Sequence, residues 1–227
     1  MVQTLARAWS KGMAVVILNP NSTASMTDSM LEVARSAAPG LEFEGWTSRN
    51  GPPTIQGEAD GAAATPPLLD LVAKASEDGV QGIIIGCFDD TALHEAAELA
   101  KCPVIGIGQA SYHYAALRNF RFSVVTTLAV SVPIIETNIR KSGLSAGLKR
   151  VRASDVAVLE LEEDVSRSSE KVVAEAQASE NEDGVDCLIL GCAGMVNVTK
   201  AVTEGVGVRV VDPVATAARC IQWIMAK

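Results

Sequence analysis

Gly79-Val80-Gln81-Gly82-Ile83-Ile84-Ile85-Gly86-Cys87-Phe88-Asp89-Asp90 has a counterpart further along the chain in Gly184-Val185-Asp186-Cys187-Leu188-Ile189-Leu190-Gly191-Cys192-Ala193-Gly194-Met195. The cysteines that close the two apolar runs lie 105 positions apart (192 − 87). Each run is short and lacks polar alternation, the pattern of a strand buried on both faces of a parallel sheet, and each ends in a Gly-Cys turn. Ligands of open parallel sheets sit just beyond the carboxyl ends of the strands, so one thiol per half is placed to face a shared substrate. Cys87 and Cys192 are therefore the candidate reactive pair.

Outward from these strands, the chain alternates strand and helix patterns. Residues 13–18 form an apolar run ending in Asn19-Pro20-Asn21-Ser22-Thr23; Met26, Met30, Val33 and Ala34 follow at helical spacing, with Ser22 or Thr23 as the helix cap. A strand is expected over residues 41–46. The stretch 51–57 is too rich in Gly and Pro for a regular element and suits a flap over a cleft. A helix over 62–76 should carry Pro66-Pro67 near its first turn. Helices over 91–100 and 112–117 and a strand over 103–108 complete the first half. At Phe122-Ser123-Val124-Val125-Thr126-Thr127 the pattern restarts: Asn19 and Thr126 are 107 apart (126 − 19), and Val104-Ile105-Gly106 matches Val210-Val211-Asp212 at 106 (210 − 104). The second half reads as a helix over 134–141, a loop over 143–147, edge elements at 151–153 and 156–159, and helices over 168–179 and 215–225. The fold class is α/β, with two pseudo-symmetric lobes, each a parallel sheet flanked by helices, and the active site in the cleft between them. The expected boundaries are 13–118 for the first lobe, 119–214 for the second, a C-terminal helix 215–227 packing back on the first lobe, and 1–12 as an N-terminal extension.

Composition narrows the function. Of 227 residues, 48% are hydrophobic and only 4% aromatic, so the core is aliphatic, as buried parallel sheets require. A net charge of −8 without a Lys/Arg block argues against nucleic acid, and no apolar run approaches the ~18 residues of a membrane span, so a cytoplasmic protein acting on a small molecule is expected. Five cysteines, an odd number without an export signal, do not make a disulfide framework, and Cys102, Cys187 and Cys220 read as small buried hydrophobes. No metal-ligand spacing is present and His94 and His113 are the only histidines, so no metal or cofactor is expected. The acidic run 160–164 reads as a solvated segment. Lys and Arg are missing from all the expected strand-end turns, which leaves a polar cleft floor without cations.

The turn 19–23, Gly86-Cys87-Phe88-Asp89-Asp90, the run 103–108, Val124-Val125-Thr126-Thr127 and Leu190-Gly191-Cys192-Ala193-Gly194-Met195 together resemble the hydantoin racemases, within the aspartate/glutamate racemase superfamily. The resemblance runs from Met13 onward, and departs at Asp90-Thr91-Ala92, where many members have Asp-Pro-Gly. It implies cofactor-independent, two-base racemisation of 5-substituted hydantoins. One group takes a proton from one face of the carbon and another returns one to the opposite face, which a single residue cannot do. Cysteine suits this because its ordinary pKa of about 8.5 lets thiol and thiolate coexist once helix N-termini bias one of them. Cys87 and Cys192 are expected to be catalytic; Phe88, Asp89, Ala193 and Gly194 to contribute backbone groups; Asn19, Thr126 and Thr127 side chains; and Ile55, Phe88 and Met195 apolar contacts. A homo-oligomer is also expected. The alternatives are an allantoin racemase; an amino-acid racemase, arylmalonate decarboxylase or maleate isomerase type of the same superfamily; and a non-enzymatic binding protein. Without cations at the cleft floor a neutral ring fits better than a dicarboxylate; Arg49, beside the flap, is the one residue placed to change that.

Overall fold

A computed structural model describes residues 14–226; the expected extension 1–12 lies outside them. The chain runs β1 (Ala14–Asn19), α1 (Ala24–Ala37), β2 (Glu42–Thr47), α2 (Glu58–Asp78), β3 (Gly82–Ile85), α3 (Leu93–Leu99), β4 (Val104–Gly106) and α4 (Ile107–Leu117). It then repeats the plan with β5 (Phe122–Thr126), α5 (Val132–Lys141), β6 (Leu148–Ala153), α6 (Glu160–Glu163), α7 (Val165–Asp183), β7 (Cys187–Leu190), α8 (Thr199–Gly205), β8 (Arg209–Val211) and α9 (Pro213–Met225). Two four-stranded parallel sheets result, β2-β1-β3-β4 and β6-β5-β7-β8, with the same strand order.

Side-chain alternation explains why both faces of each sheet are covered. In the first sheet Val15, Ile17 and Ile84 point to one side and Val16, Leu18, Ile83 and Ile85 to the other, where α2 supplies Leu68, Val72 and Ala75. In the second, Val124 and Ile189 point inward, and Val125, Leu188 and Leu190 outward against Val172 and Ala176 of α7. The inward faces share one core with Met30 of α1, Ala115 of α4, Ile135 of α5 and Ile221 of α9. Each fully buried isoleucine of β3 contributes roughly 1.5–3 kcal/mol relative to exposure. α9 packs on α1, α4 and β3, all elements of the first half of the chain. Among the described residues no helix is long and apolar enough to cross a membrane.

Several local expectations are corrected. Pro66 and Pro67 lie inside α2 rather than at its start: the carbonyls of Ala62 and Ala63 that lose their amide partners belong to exposed residues and turn to water, while Gly79 closes the helix in the left-handed region (φ 74°). α4 begins at Ile107, directly after β4, because the Gln109 side chain turns back to accept from the Gly106 amide. Residues 156–159 are irregular, not an edge strand; Asp155 has φ 53° and turns the chain off the sheet. Thr23 is the N-cap residue of α1 but makes no capping bond; its hydroxyl donates to Pro53 O (2.8 Å). Cys187 is buried as expected, but Cys102 and Cys220 are only half-buried.

Candidate active site

β3 and β7 both end in glycine because the backbone is crowded there. The amides of Gly86 and Gly191 donate to Leu18 O and Val125 O at 2.8 Å, and a Cβ would lie 2.8 Å from Met30 Sδ in one case and 2.8–3.0 Å from Val124 and Thr126 in the other. The next residues, Cys87 and Cys192, line one small cavity between the two sheets, together with Asn21, Met26, Ile55, Phe88, Asp89, Thr127, Ser131, Val158, Ala193 and Gly194. Its volume is about 30 Å³, room for a water molecule or two. Among the described residues no Lys, Arg or His lines it, and Arg49 is solvent-exposed. A wider groove of about 900 Å³ runs between α4 and α9; Asp212, the carboxylate on its wall, is occupied capping α9 through the Ala215 amide at 2.8 Å.

The environment of the sulfurs differs from the expected helix N-termini. Cys87 is followed by a tight turn in which Asp90 (φ 49°) and Ala92 (φ 51°) take left-handed conformations, and α3 starts only at Leu93. Cys192 leads into a short 3₁₀ turn, Ala193–Asn197. Thr91 Oγ1 donates to Cys87 Sγ (3.3 Å), and the nearby amides of Asp89 at Cys87 and of Gly194 and Met195 at Cys192 favour the thiolates in place of a helix dipole. Both residues are half-buried, yet withdrawal of their sulfurs from water outweighs these groups. It pushes the Cys192 thiol up to about 12, and lifts Cys87 above the ordinary thiol range, with the Asp89 carboxylate adding repulsion. Burial also raises Asp89 to about 7.

Of the expected binding residues, Ile55, Phe88, Asp89, Thr127, Ala193 and Gly194 line the cavity; Asn19 and Thr126 do not. Asn19 is fully buried, and its amide is spent within the turn on Asn21 Oδ1 (3.0 Å), Thr23 O (3.1 Å) and Thr27 Oγ1 (3.0 Å). The Thr126 hydroxyl donates to Gly191 O (2.9 Å), clamping β5 to the Cys192 turn. Met195 is buried in the outer core of the second lobe with Val125 and Leu161. Asn21, Met26, Ser131 and Val158 were not anticipated as lining; only Asn21 and Ser131, which fall in the expected strand-end turns 19–23 and 126–131, carried a signal. Contacts cross the cavity mouth from lobe to lobe: Ser25 Oγ to Glu162 Oε2 (2.6 Å), Val158 N to Gln56 Oε1 (3.1 Å) and Asn138 Nδ2 to Asp89 O (2.8 Å). The segment 51–57 is tied down by Ser22 N donating to Pro52 O (2.9 Å).

Two parallel α/β lobes repeating one plan, with a small pocket between their strand ends, define the racemase class to which the profile of the Asp/Glu/Hydantoin racemase family, matching residues 15–221, assigns this chain. The chain belongs to that family and is an isomerase. It is 39% identical over 216 residues to a hydantoin racemase of Rhizobium meliloti, covering 94% of this chain and 89% of that one. Among solved structures, an allantoin racemase from Klebsiella pneumoniae superposes with a TM-score of 0.88 at 34% identity, covering 94% of this chain and 87% of that one. Another, from Pseudomonas fluorescens, gives 0.88 at 33%, covering 93% and 90%.

Proposed function

We propose that the protein racemises 5-substituted hydantoins without a cofactor, Cys87 and Cys192 serving as the two proton-transfer groups. The observation that carries this reading is one thiol from each lobe lining a single small cavity. In one direction a thiolate removes the C5 proton and becomes a thiol, the electron pair moves into the C4 carbonyl as an enolate, and the opposite thiol protonates C5 from the other face. The pair ends with its protonation reversed. Backbone amides beside the sulfurs, those of Asp89, Gly194 and Met195, are placed near the developing charge. Because the cavity holds no more than a water or two, the lobes part at the Ser25–Glu162 and Gln56–Val158 contacts to admit the ring.

Met26, Ile55, Phe88 and Val158 give the lining an apolar side suited to a hydrocarbon substituent. A second reading, an allantoin racemase, is favoured by the two structural neighbours and by Asn21, Thr127 and Ser131, which offer polar company to a ureido group. Loss of optical rotation of one enantiomer of 5-benzylhydantoin and of allantoin, followed side by side, decides between them. Cys87→Ser and Cys192→Ser are each expected to abolish racemisation, while one of them still exchanges the C5 hydrogen of one enantiomer with deuterated water. Full activity in either variant refutes the two-thiol reading.

A further inference from the structure

We propose that the Asp89 side chain selects the substrate of this cavity, by accepting a ring N–H of a neutral cyclic ureide and by repelling molecules that carry a carboxylate beside the reacting carbon. The inference rests on the proposed racemisation and adds to it the group that reads charge.

Asp89 is fixed through its backbone and free at its side chain. Its carbonyl oxygen is held by Asn138 Nδ2 at 2.8 Å, yet its carboxylate accepts no hydrogen bond from any described residue. Other acids withdrawn from solvent are occupied. Asp90 accepts from the Gly108 amide (3.1 Å), Asp183 from Arg152 (2.7 Å) and Asp212 from the Ala215 amide (2.8 Å). The Asp89 carboxylate thus faces a cavity that no cationic side chain lines among the described residues, close enough to both sulfurs to act on each electrostatically. Asp89 is half-buried, so its carboxylate keeps some water but has no protein donor, and a bound N–H that replaces that water forms a charge-assisted hydrogen bond. A hydantoin ring brings its N1–H next to the carbon that reacts, and supplies the missing donor. An amino diacid or malonate would instead bring a second negative charge into the same space, with no Lys or Arg among the described lining residues to offset it.

The test has an arm that does not depend on any substrate. Iodoacetamide and iodoacetate alkylate the same thiolate, so the ratio of their rates at one cysteine cancels both the thiolate fraction and the frequency with which the cavity opens. At pH 8.5, with sites assigned by peptide mass mapping, Asp89→Asn is expected to lower the iodoacetamide preference at Cys87 and Cys192 by about tenfold. Cys102, which does not line the cavity, keeps its ratio. Asp89→Ser, neutral and smaller, should do the same should the asparagine variant misfold. An unchanged ratio in either folded variant overturns the proposal.

In the second arm, 5-benzylhydantoin and hydantoin-5-acetic acid are compared as substrates. Asp89→Asn should lower kcat/KM for the neutral compound by about tenfold and shift the preference toward the anion. A variant that racemises the neutral compound as well as the wild type refutes the N–H acceptor role. Should the wild-type protein racemise neither compound, the functional reading fails, and the alkylation ratio still decides whether Asp89 screens anions.

Discussion

Asn19→Ala separates two roles that a strand-end asparagine can have. In the folded protein its side chain organises the 19–23 turn: Nδ2 donates toward Asn21 Oδ1, Thr23 O and Thr27 Oγ1, and Oδ1 accepts from the Asn21 amide at 3.1 Å. An amide has two N–H groups, so two donated bonds and one accepted bond is the realistic loss. At about 1 kcal/mol net for each, with the site fully buried, the substitution should cost about 3 kcal/mol. For a chain of 227 residues that corresponds to a fall in Tm of about 6–12 °C. Asn19→Asp keeps only the acceptor and turns a carboxylate toward Asn21 Oδ1 and Thr23 O, so it should be at least as damaging. Scanning calorimetry alongside racemisation kinetics reads both effects. A variant with unaltered Tm and a raised KM would show that Asn19 meets the substrate, and the turn assignment would be wrong.

Thr91→Val removes the hydroxyl that donates to Cys87 Sγ and helps hold its thiolate. Alkylation of Cys87 by iodoacetamide should slow several-fold and kcat should fall with KM little altered; unchanged Cys87 reactivity contradicts the assignment. Acid stability tests the second lobe. Burial alone would raise the Asp183 carboxyl, but bonds from Arg152, Ser179 and Ser123 outweigh it and hold the carboxyl at about 2, below its ordinary 3.8. A group depressed on folding adds stability above its unfolded pKa. About 2 kcal/mol is therefore present above pH ~4 and is lost as the pH falls toward 2. In Asp183→Asn, Tm should be lower at neutral pH and fall less between pH 4 and pH 2. A wild-type-like slope in that variant would assign the acid sensitivity elsewhere.

The strands and the pairing of the halves were legible because burial on both faces of a sheet leaves an unbroken apolar run, and 82–85 and 187–190 are such runs. The helix ends were less so. Pro66-Pro67 signals a first turn only where a helix must begin, and the start at Glu58 is set by the geometry of Gly57 (φ 97°) and by Asp60 accepting from the Gln56 amide (2.9 Å). In the site, the Gly-Cys repeat located both sulfurs at one cavity. Polar turn residues were harder to place, because a hydroxyl or amide next to a strand end serves either the turn or the ligand with the same sequence signature. Thr126 and Thr127 are adjacent, yet one hydroxyl is spent on Gly191 O and only the other residue lines the cavity. Val158 lay beyond reach, since its place depends on the turn at Asp155 and on a bond to Gln56 from the other lobe.

The unequal surroundings of the two sulfurs constrain the kinetics of a two-thiol racemase. If Asp89, which repels negative charge at both sulfurs, does so more strongly at Cys87, its near neighbour in the chain, the singly ionised pair favours the Cys192 thiolate. The enantiomer whose proton Cys87 must remove therefore meets the scarcer protonation form of the enzyme, which raises its apparent KM. Enantiomers have equal free energies in solution, so the equilibrium constant is one and kcat/KM must be the same in both directions. The direction begun by Cys87 must then carry a higher kcat in proportion to its higher KM. Neutralising Asp89 narrows the difference between the sulfurs and should bring the two KM values together.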